Sequence, residues 1–526
     1  MIKNTYLYIF FILINNIFLL KFRFRNFIKI EYNHDFSFTN FKNLNDLKKI
    51  LVLDTKIFDK NYDKYFQYHS LDWLWTAKKL GGADLVKVAR DRVIDWNSKY
   101  TGFYYYITDV NLCAKRLINL IYNYDFYASS ANQKEKIKIK FIIFYQYTFL
   151  KFILSVNNTI GAKTIEINKA IILYQAIHGL LSKNSINELI NNIKNSINPA
   201  GMHYSMNPDF HAEFINNLIE IKNIFLFYKI EVPKEIEFQI INMTSVLKNF
   251  FHKDDSIALF NGSSNNNIDE MKKIISITND IKTKNLINNK DGLAICSNNQ
   301  LKIFFDVVKP ENKLINYNLH ASTLSFELSY KNEKIITNCG TIERRNYKQP
   351  DYLRYSAAHS TIILNNTNIS ELVEKQSYKR IPSKIFFEAK ELKKSIIWNA
   401  SHDGYIKNFN KIVKRKLIIS KEGCDLTGKD QIISVGFGTK TNNFCIRFHL
   451  TPLCTSLLTR NKKSVIIKTL NNKSFIFKSD TALDIEESIY IEKGKKIIKT
   501  SQIVILGNTN EQKKTINWSF SLQGNK

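Results

Sequence analysis

The spacing of hydrophobic positions changes near the middle of the chain. From about Leu71 to Phe251, apolar residues recur with the period of an amphipathic helix. The clearest series advances by steps of 4, 4, 3 and 4 through Phe210, Phe214, Leu218, Ile221 and Phe225. Several such stretches follow one another with no alternating segments between them. The pattern therefore predicts an all-helical region.

Two capping boxes predict where helices begin. Ser130 is followed three residues later by Gln133, ahead of an apolar stretch that ends near Val156. Ser185 and Glu188 have the same spacing.

After Asp254 the period of the pattern becomes two. Leu324, Phe326, Leu328 and Tyr330 alternate with polar residues, which predicts a strand with one buried face. Similar β-rich runs lie at 301–308, 361–364, 416–419, 464–470, 474–478 and 501–506. Because no helices separate these runs, they predict an antiparallel β-sandwich. We therefore predict a multidomain α + β chain, helical over 1–252 and β over 253–526.

Composition is that of a globular protein with an excess of positive charge. The 526 residues are 44% hydrophobic, and 76 Lys and Arg face 47 Asp and Glu, for a net charge of +29. Such an excess favours polyanionic partners, although the richness in Lys, Asn and Ile can equally reflect coding bias. The six cysteines form no CxxC pair, so buried free thiols are expected.

The apolar segment at the N-terminus (1–30) allows two interpretations. Thr5–Leu20 is almost wholly apolar but shorter than the roughly 20 residues that span a bilayer. Basic residues follow it, and no small-residue cleavage site is nearby. It is either an uncleaved anchor or signal, giving membrane association, or a packed first helix. No other segment is apolar enough to span a membrane.

Common catalytic and nucleic-acid motifs are missing from the sequence. It has no P-loop, no GxGxxG after a strand, no HExxH and no GxSxG. RRM and KH signatures are also missing, so nucleic acid is not an expected partner.

A loop that leads into a helix is the first candidate site. Pro208 follows Asn207 as the predicted first helical residue, and a helix N-terminus is a good place for a carboxylate. His203 and Tyr204 precede it and could contact the same ligand. The alternative is a capped helix with an incidental aromatic loop.

Two histidines in the β half form the second candidate site. His320 precedes the strand that ends at Tyr330, and His359 precedes another strand. Two such residues could ligate a metal with a third donor. Scattered histidines are more often core or surface residues.

Together these segments resemble the heparinase II/III family of polysaccharide lyases. His320–Tyr330 reads HASTLSFELSY and is similar to that family's HADTLSFELSY signature. Ile336–Thr341 (ITNCGT) and Tyr355–Thr361 (YSAAHST) look like its VDxGT and TAAHNT signatures. Upstream, the HSLDWL stretch from His69 resembles the start of its helical domain.

The resemblance implies a fold, a reaction and a set of site residues. The fold is an N-terminal incomplete α/α toroid followed by a C-terminal antiparallel β-sandwich. The reaction is β-elimination of an acidic, uronate-containing polysaccharide, such as a glycosaminoglycan-like polymer. The expected catalytic residues, in a groove between the domains, are His203, Tyr204, His320 and His359. No organic cofactor is implied, and the one metal suggested is a structural zinc on His320 and His359.

The sequence departs from the family pattern at several of these positions. Ala200 replaces an Asp, Phe210 replaces the catalytic Tyr and Asn318 replaces a His that is often catalytic. The third zinc ligand, an Asp in the family, is Asn338 here, and an amide is a poor substitute for a carboxylate.

Two functional hypotheses follow from this incomplete match. In the first, the protein is a lyase with a rearranged site: Tyr204 or His203 replaces the lost base. Substrate is then bound by Asn207, Arg344, Arg345 and Arg354, since an arginine can bind a carboxylate bidentately. In the second, catalysis is lost and the protein binds an acidic glycan. Either would act in the cell envelope or periplasm.

Overall fold

A computed structural model describes residues 68–524 except 101–109, 157–163, 311–318, 343–351, 373–377 and 437–439. The apolar N-terminal segment, Arg344, Arg345 and Asn318 lie outside the described residues. Within the described ranges, no helix is long and apolar enough to cross a membrane.

Helices precede strands along the chain, as the pattern predicts. They are α1 Trp73–Leu80, α2 Ala83–Tyr100, α3 Val110–Tyr122, α4 Tyr124–Ala128, α5 Gln133–Val156, α6 Thr164–Ile177, α7 Lys183–Ser196, α8 Pro208–Phe227, α9 Lys234–Leu247 and α10 Ile268–Ile277, with a single turn, α11, at Ile406–Phe409.

The described chain forms two compact units. The helical unit contains the described residues up to Ile193 together with Asn217–Glu237, and the sandwich unit contains Lys194–Asn216 and Phe238 onward. The loop that precedes α8 and the first turns of α8 therefore belong to the sandwich unit. The boundary after residue 252 stays a sequence prediction.

The helical unit is organised around α3, which packs on α5 and α6. Arg116 of α3 is fully buried, and its guanidinium lies 4.2 Å from the Trp96 ring centroid. Its Nε donates to Gln146 Oε1 at 3.0 Å and its Nη1 donates to the carbonyl of His69 at 2.8 Å. These bonds replace much of the water that a buried guanidinium loses.

The two predicted capping boxes are displaced along the chain. At α5 the reciprocal pair is Asn132 and Glu135, each accepting from the other's backbone N–H. At α7 the Ser182 hydroxyl accepts from the Ser185 N–H, so Ser185 lies inside the helix rather than at its start. The helices exist where predicted, but nearby polar residues compete to cap them.

The predicted start of α8 is confirmed: Asn207 Oδ1 accepts from the N–H groups of Asp209 and Phe210.

The strands form two large antiparallel sheets. They are β1 Leu293–Ser297, β2 Leu301–Asp306, β3 Phe326–Tyr330, β4 Glu333–Thr337, β5 Ile362–Leu364, β6 Glu371–Leu372, β7 Tyr378–Arg380, β8 Ile385–Glu391, β9 Ser395–Tyr405, β10 Lys411–Ser420, β11 Leu426–Ser434, β12 Asn443–Leu450, β13 Cys454–Leu458, β14 Ser464–Thr469, β15 Ser474–Ser479, β16 Leu483–Glu492, β17 Lys496–Asn508 and β18 Lys513–Leu522.

The first sheet has the order β1-β2-β3-β4-β12-β17-β16, with β5 also paired to β12. The second has the order β13-β14-β15-β18-β11-β10-β9-β8, and β6 pairs with β7 separately. One apolar core joins the two large sheets. Stacked aromatic rings contribute to it, with Phe326 of the first sheet 5.6 Å from Trp518 of the second. This arrangement confirms the predicted antiparallel sandwich.

A buried ion pair in the sandwich core joins neighbouring strands of the second sheet. Arg415 of β10 binds Asp430 of β11 through Nε at 2.7 Å and Nη2 at 2.8 Å. The Nη1 of Arg415 donates to the carbonyls of Leu324 and Ser360, which belong to segments connecting strands of the first sheet. The pair therefore fixes the chain next to His359.

The prediction of a single buried face for β3 is wrong. All five of its residues are buried, including Glu327 and Ser329 at 0% exposure. The polar face packs against His252, which bonds both side chains. A polar side chain can be buried when it forms hydrogen bonds with other buried groups, and the alternating pattern alone does not reveal which groups those are.

The prediction for the cysteines is confirmed, since all six are free and buried.

Candidate active site

A tight loop between α7 and α8 positions His203. Ile197 and His203 form an antiparallel bridge, closed by Asn198 N–H to Met202 O at 2.8 Å. Gly201 has φ +86°, and a Cβ there would lie 2.6 Å from Asn242 Oδ1, so both the turn and its packing require glycine. The loop is thus closed by its own backbone hydrogen bonds and packs against Asn242 of α9.

The hydrogen bonds of His203 define its tautomer. Its Nδ1 accepts from the Ser205 N–H at 3.2 Å and contacts Ser205 Oγ at 2.8 Å. A neutral ring that accepts at Nδ1 carries its proton on Nε2. That Nε2 is buried and has no hydrogen-bond partner among the described residues. His203 therefore presents an unused N–H donor.

His211 supports this loop from the first turns of α8. Its Nε2 donates to the Met243 carbonyl at 2.8 Å, so its Nδ1 accepts from the His203 N–H at 3.2 Å. Burial lowers the pKa of His203 to about 3, and His211 nearby adds to that effect. Both rings are neutral at physiological pH.

Tyr204 and Phe210 differ in what they offer to a proton transfer. Both side chains are partly exposed, whereas His203 is 1% exposed. Tyr204 carries a phenolic hydroxyl, and Phe210 carries no exchangeable proton. Tyr204 is therefore the accessible proton-transfer group of this loop.

Asn207 serves as a helix cap in this structure. Its Oδ1 caps α8, and its Nδ2 donates to the Asn261 carbonyl at 2.9 Å. The first turn of the helix also holds Asp209, whose Oδ2 accepts from the Ser264 N–H at 2.6 Å. Asn207 Oδ1 thus satisfies two N–H groups of the first turn of α8, and Asp209 ties that turn to Ser264.

Asn261 connects the two predicted candidate sites. Its Nδ2 donates to the Met206 carbonyl at 3.2 Å, and its Oδ1 accepts from the His320 N–H at 3.0 Å. The next residue, Gly262, has φ +86°, and a Cβ there would lie 3.6 Å from Asn207 Nδ2 and 3.7 Å from His320 Nε2. Two polar nitrogens therefore converge on a position without a side chain.

His320 and His359 contact each other directly. Their Nδ1 and Nε2 atoms are 3.2 Å apart, so one ring donates to the other. Burial, with His359 and Arg354 nearby, lowers the pKa of His320 well below its ordinary value. Burial, with His449 nearby, lowers that of His359 to about 3. Both rings are neutral, and His320 turns its Nε2 toward Gly262.

The residues that hold these histidines in place have no signature in the sequence pattern. His449 contacts Ser488 Oγ at 2.7 Å and donates from Nε2 to the Ala357 carbonyl, which lies in the His359 segment. Asn261 and Gly262 belong to none of the sequence motifs described above. An Asn-Gly pair predicts a turn, but it does not predict which distant segment the turn touches.

Glu327 anchors the segment that carries Asn261. Its carboxylate accepts from His252 Nε2, Lys334 Nζ and the N–H groups of Leu259 and Asn338. Burial alone would raise the pKa of Glu327, but Lys334, His252 and the backbone donor outweigh it and lower the pKa to about 2. Glu327 is therefore a buried anion with a structural role.

Arg354 is the one predicted substrate-binding arginine inside the described ranges. It is partly buried, and its Nη2 donates to the Leu319 carbonyl at 3.1 Å. The Arg354 carbonyl accepts from the Ala321 N–H at 2.9 Å. Arg354 therefore lies beside the backbone that flanks His320.

The residues present do not fit a structural zinc site. Asn338, at the position of the third ligand, is fully buried and offers only a neutral amide oxygen. The described residues contain no group of three His, Cys, Asp or Glu that could hold a metal ion. Structural zinc normally has four ligands, mostly thiolates and imidazoles. We therefore assign no role to zinc.

Comparison with known proteins supports the resemblance over the C-terminal part of the chain. Residues 289–519 match the family model "Heparinase II/III-like, C-terminal". The predicted resemblance to the heparinase II/III family is thereby confirmed over these residues. A search of curated protein sequences gave no match.

Solved structures show the same fold over most of the chain. The heparan sulfate lyase HepC from Pedobacter heparinus is 14% identical, with a TM-score of 0.63 over 88% of this chain and 77% of its own. A heparinase III is 12% identical, with a TM-score of 0.67 over the same shares. The chondroitin AC lyase of Streptomyces coelicolor A3, solved with chondroitin sulphate, is 7% identical, with a TM-score of 0.52 over 87% and 75%. The predicted α/α toroid and β-sandwich are thus confirmed.

Proposed function

We propose that this protein is a lyase that cleaves an acidic, uronate-containing polysaccharide by β-elimination. The observation that carries the proposal is the junction at Asn261. Through it, the loop with His203 and Tyr204 and the pair His320–His359 are held in one compact unit. The loop and the histidine pair therefore both lie next to the turn formed by Asn261 and Gly262.

β-Elimination requires three tasks of such a site. The proton at C5 of the uronate must be removed, the carboxylate must be stabilised as charge develops, and the 4-O leaving group must receive a proton. Tyr204 is the accessible base in this proposal and would take the C5 proton on its phenolate oxygen. His203 donates from Nε2, and the Arg354 guanidinium neutralises the carboxylate.

His320 and His359 complete the proposed set. Because both imidazoles are neutral, the hydrogen bond between them uses the donor of one ring and the acceptor of the other, so His320 Nε2 is an acceptor when its Nδ1 donates and a donor when its Nδ1 accepts. His320 can therefore accept or relay a proton at Nε2 while His359 orients it. Asn207 supports the site by capping α8 and holding Asn261, and it is not placed in contact with substrate.

A substrate of this class fits a cell-envelope or periplasmic location, and we propose that location. The apolar N-terminal segment would serve as an export signal or a membrane anchor. Testing this requires fractionation of cells that carry the full chain with and without residues 1–30. Loss of envelope association in the shortened chain would support the proposal, and unchanged association would contradict it.

A non-catalytic glycan-binding protein is the second candidate, and Phe210 favours it. At the position where the family has its catalytic Tyr, the phenyl ring of Phe210 cannot exchange a proton. In that case the same donors and Arg354 would bind an acidic glycan without cleaving it.

An ultraviolet assay on a panel of uronate polymers separates the two candidates. β-Elimination creates a conjugated double bond in the product, so absorbance rises with each cleavage. Rising absorbance with any polymer supports the lyase. No rise with any polymer, together with glycan binding in a direct binding assay, would overturn the lyase in favour of the binder.

A further inference from the structure

The outer face of the second sheet carries a cluster of lysines away from the candidate active site. Along β10, Val413, Arg415 and Leu417 point into the sandwich core, so Lys414 and Lys416 point outward. The strand register continues this face across five strands, in the rows Phe386-Ser401-Lys414-Gln431-Thr515 and Glu388-Asn399-Lys416-Lys429-Asn517.

The three lysines at the centre of this face lie close together. Lys416 is directly opposite Lys429 in the pairing of β10 with β11, and Lys414 is two residues from Lys416 on the same side. Opposite side chains have Cβ atoms about 5 Å apart, where like charges repel. None of the three lysines forms an ion pair with a carboxylate in the described part of the chain, so an external anion would relieve that repulsion.

Carboxylates border the cluster without neutralising it. Glu388 is separated from Lys416 by the intervening strand β9. Asp403 accepts from the hydroxyl and the N–H of Ser383. Asp480 is held by Asn517 at 2.7 Å.

The surroundings of the lysines suit a sugar acid better than a base or a lipid. The neighbours in the two rows are hydroxyls and amides, and Phe386 on the edge strand is 55% exposed. Hydroxyl and amide groups can bond sugar hydroxyls, and an exposed ring can pack on a sugar face. RNA-binding sheets instead present several aromatic side chains on which bases stack.

We propose that this face, the lysine face, is an accessory binding surface for an acidic polysaccharide. Five strands about 4.8 Å apart give rows of roughly 19 Å, long enough for several sugar units. The surface would hold a long polymer independently of the catalytic residues. The class of polymer rests on the proposed function.

Equilibrium binding of full-length protein to heparin tests this proposal. The variant combines Lys414→Gln, Lys416→Gln and Lys429→Gln, and the control combines Lys282→Gln, Lys290→Gln and Lys499→Gln, which are exposed elsewhere in the sandwich unit. Both triple variants lose the same charge. We expect the lysine-face variant to bind heparin about tenfold more weakly and with a smaller salt dependence. The control should bind within about twofold of wild type.

Equal losses in both variants would overturn the proposal, because net charge alone would then explain binding. Equally tight binding of a single-stranded oligonucleotide would overturn the polysaccharide class.

A second assay distinguishes failure of the lysine face from failure of the proposed lyase. It measures cleavage of an oligosaccharide that is too short to reach the lysine face. If the wild type cleaves it but both variants bind heparin alike, the lysine face fails and the proposed lyase stands. If the lysine-face variant alone loses binding and nothing is cleaved, the lysine face stands and the lyase fails.

Discussion

Tyr204 and Phe210 lie six positions apart and differ by a hydroxyl that decides the chemistry of the loop. Tyr204 has a phenol that can take or give a proton, and His203 beside it has an unused Nε2–H. In the proposed lyase, Tyr204 would act as the base and His203 as the donor, roles that the phenyl ring of Phe210 cannot take.

Removing either group should slow cleavage of a polymer that the wild type cleaves. We expect Tyr204→Phe and His203→Ala each to lower kcat/KM by about 10²-fold, the scale of a lost acid or base. The ultraviolet assay measures both variants. Tyr228→Phe, at another partly exposed tyrosine, is the matched control and should be close to wild type. Near-normal rates in both site variants would contradict the assignment.

Asn261 should matter for stability as well as for the site. Its φ of +53° suits Asn and Asp, so Asn261→Asp keeps the backbone and the acceptor for His320 N–H. It loses the donor to Met206 O and places an oxygen there instead. We expect a loss of about 1–3 kcal/mol in the free energy of unfolding, measured by urea denaturation. Asn267→Asp, exposed just before α10, should change it little, and equal effects would contradict the role of Asn261.

At the level of elements, residue spacing identified the helices and strands better than their ends or their partners. The start of α8 was predictable because Asn207 and Pro208 act locally. The start of α5 was not, since Ser130 and Asn132 offer competing caps and only the folded chain selects one. Both faces of β3 are buried because its polar face packs against His252, more than 70 residues away. No local pattern of residues predicts that contact.

The candidate site was predictable only in part for the same reason. The motifs identified His203, Tyr204, His320 and His359 singly. Their connection through Asn261 is a long-range contact of a polar turn, and the tautomer of His203 depends on Ser205. The lysine face likewise required strand register, because Lys414 and Lys429 become neighbours only when β10 pairs with β11.

The ion pair between β10 and β11 should be one of the most sensitive points of the sandwich. Asp430→Ala leaves Arg415 buried without its counter-charge, which typically costs about 3–5 kcal/mol. Urea denaturation of the variant measures this loss. Asp425→Ala, exposed before β11, is the control and should be close to wild type. A small effect of Asp430→Ala would mean that water reaches Arg415.

Across the whole molecule, buried neutral histidines make stability depend on pH. Burial lowers the pKa of His69, His203 and His402 to about 3 and that of His178 and His211 to about 4. The unfolded chain takes up protons near pH 6.5, while the folded protein does not. The free energy of unfolding should therefore fall as pH drops below about 6.5, by up to about 1.4 kcal/mol per pH unit for each histidine.

Urea denaturation at pH 7.5, 6 and 5, values chosen around the ordinary histidine pKa of about 6.5, measures this fall. His402→Asn keeps an acceptor for the Gly404 N–H and removes one titrating group, so its dependence on pH should be shallower than that of the wild type. Equal stability of the wild type at all three values would contradict the prediction.

The most direct test of the proposed active site is the rate at which His320→Ala forms unsaturated product from the polymer that the wild type cleaves fastest. His320 belongs to the strand-side half of the site, so its loss tests whether that half acts together with the loop of His203. With circular dichroism confirming a folded variant, we predict a rate about 10²-fold below that of the wild type. A rate within about twofold of the wild type would contradict the claim that His320 and the loop of His203 form one active site.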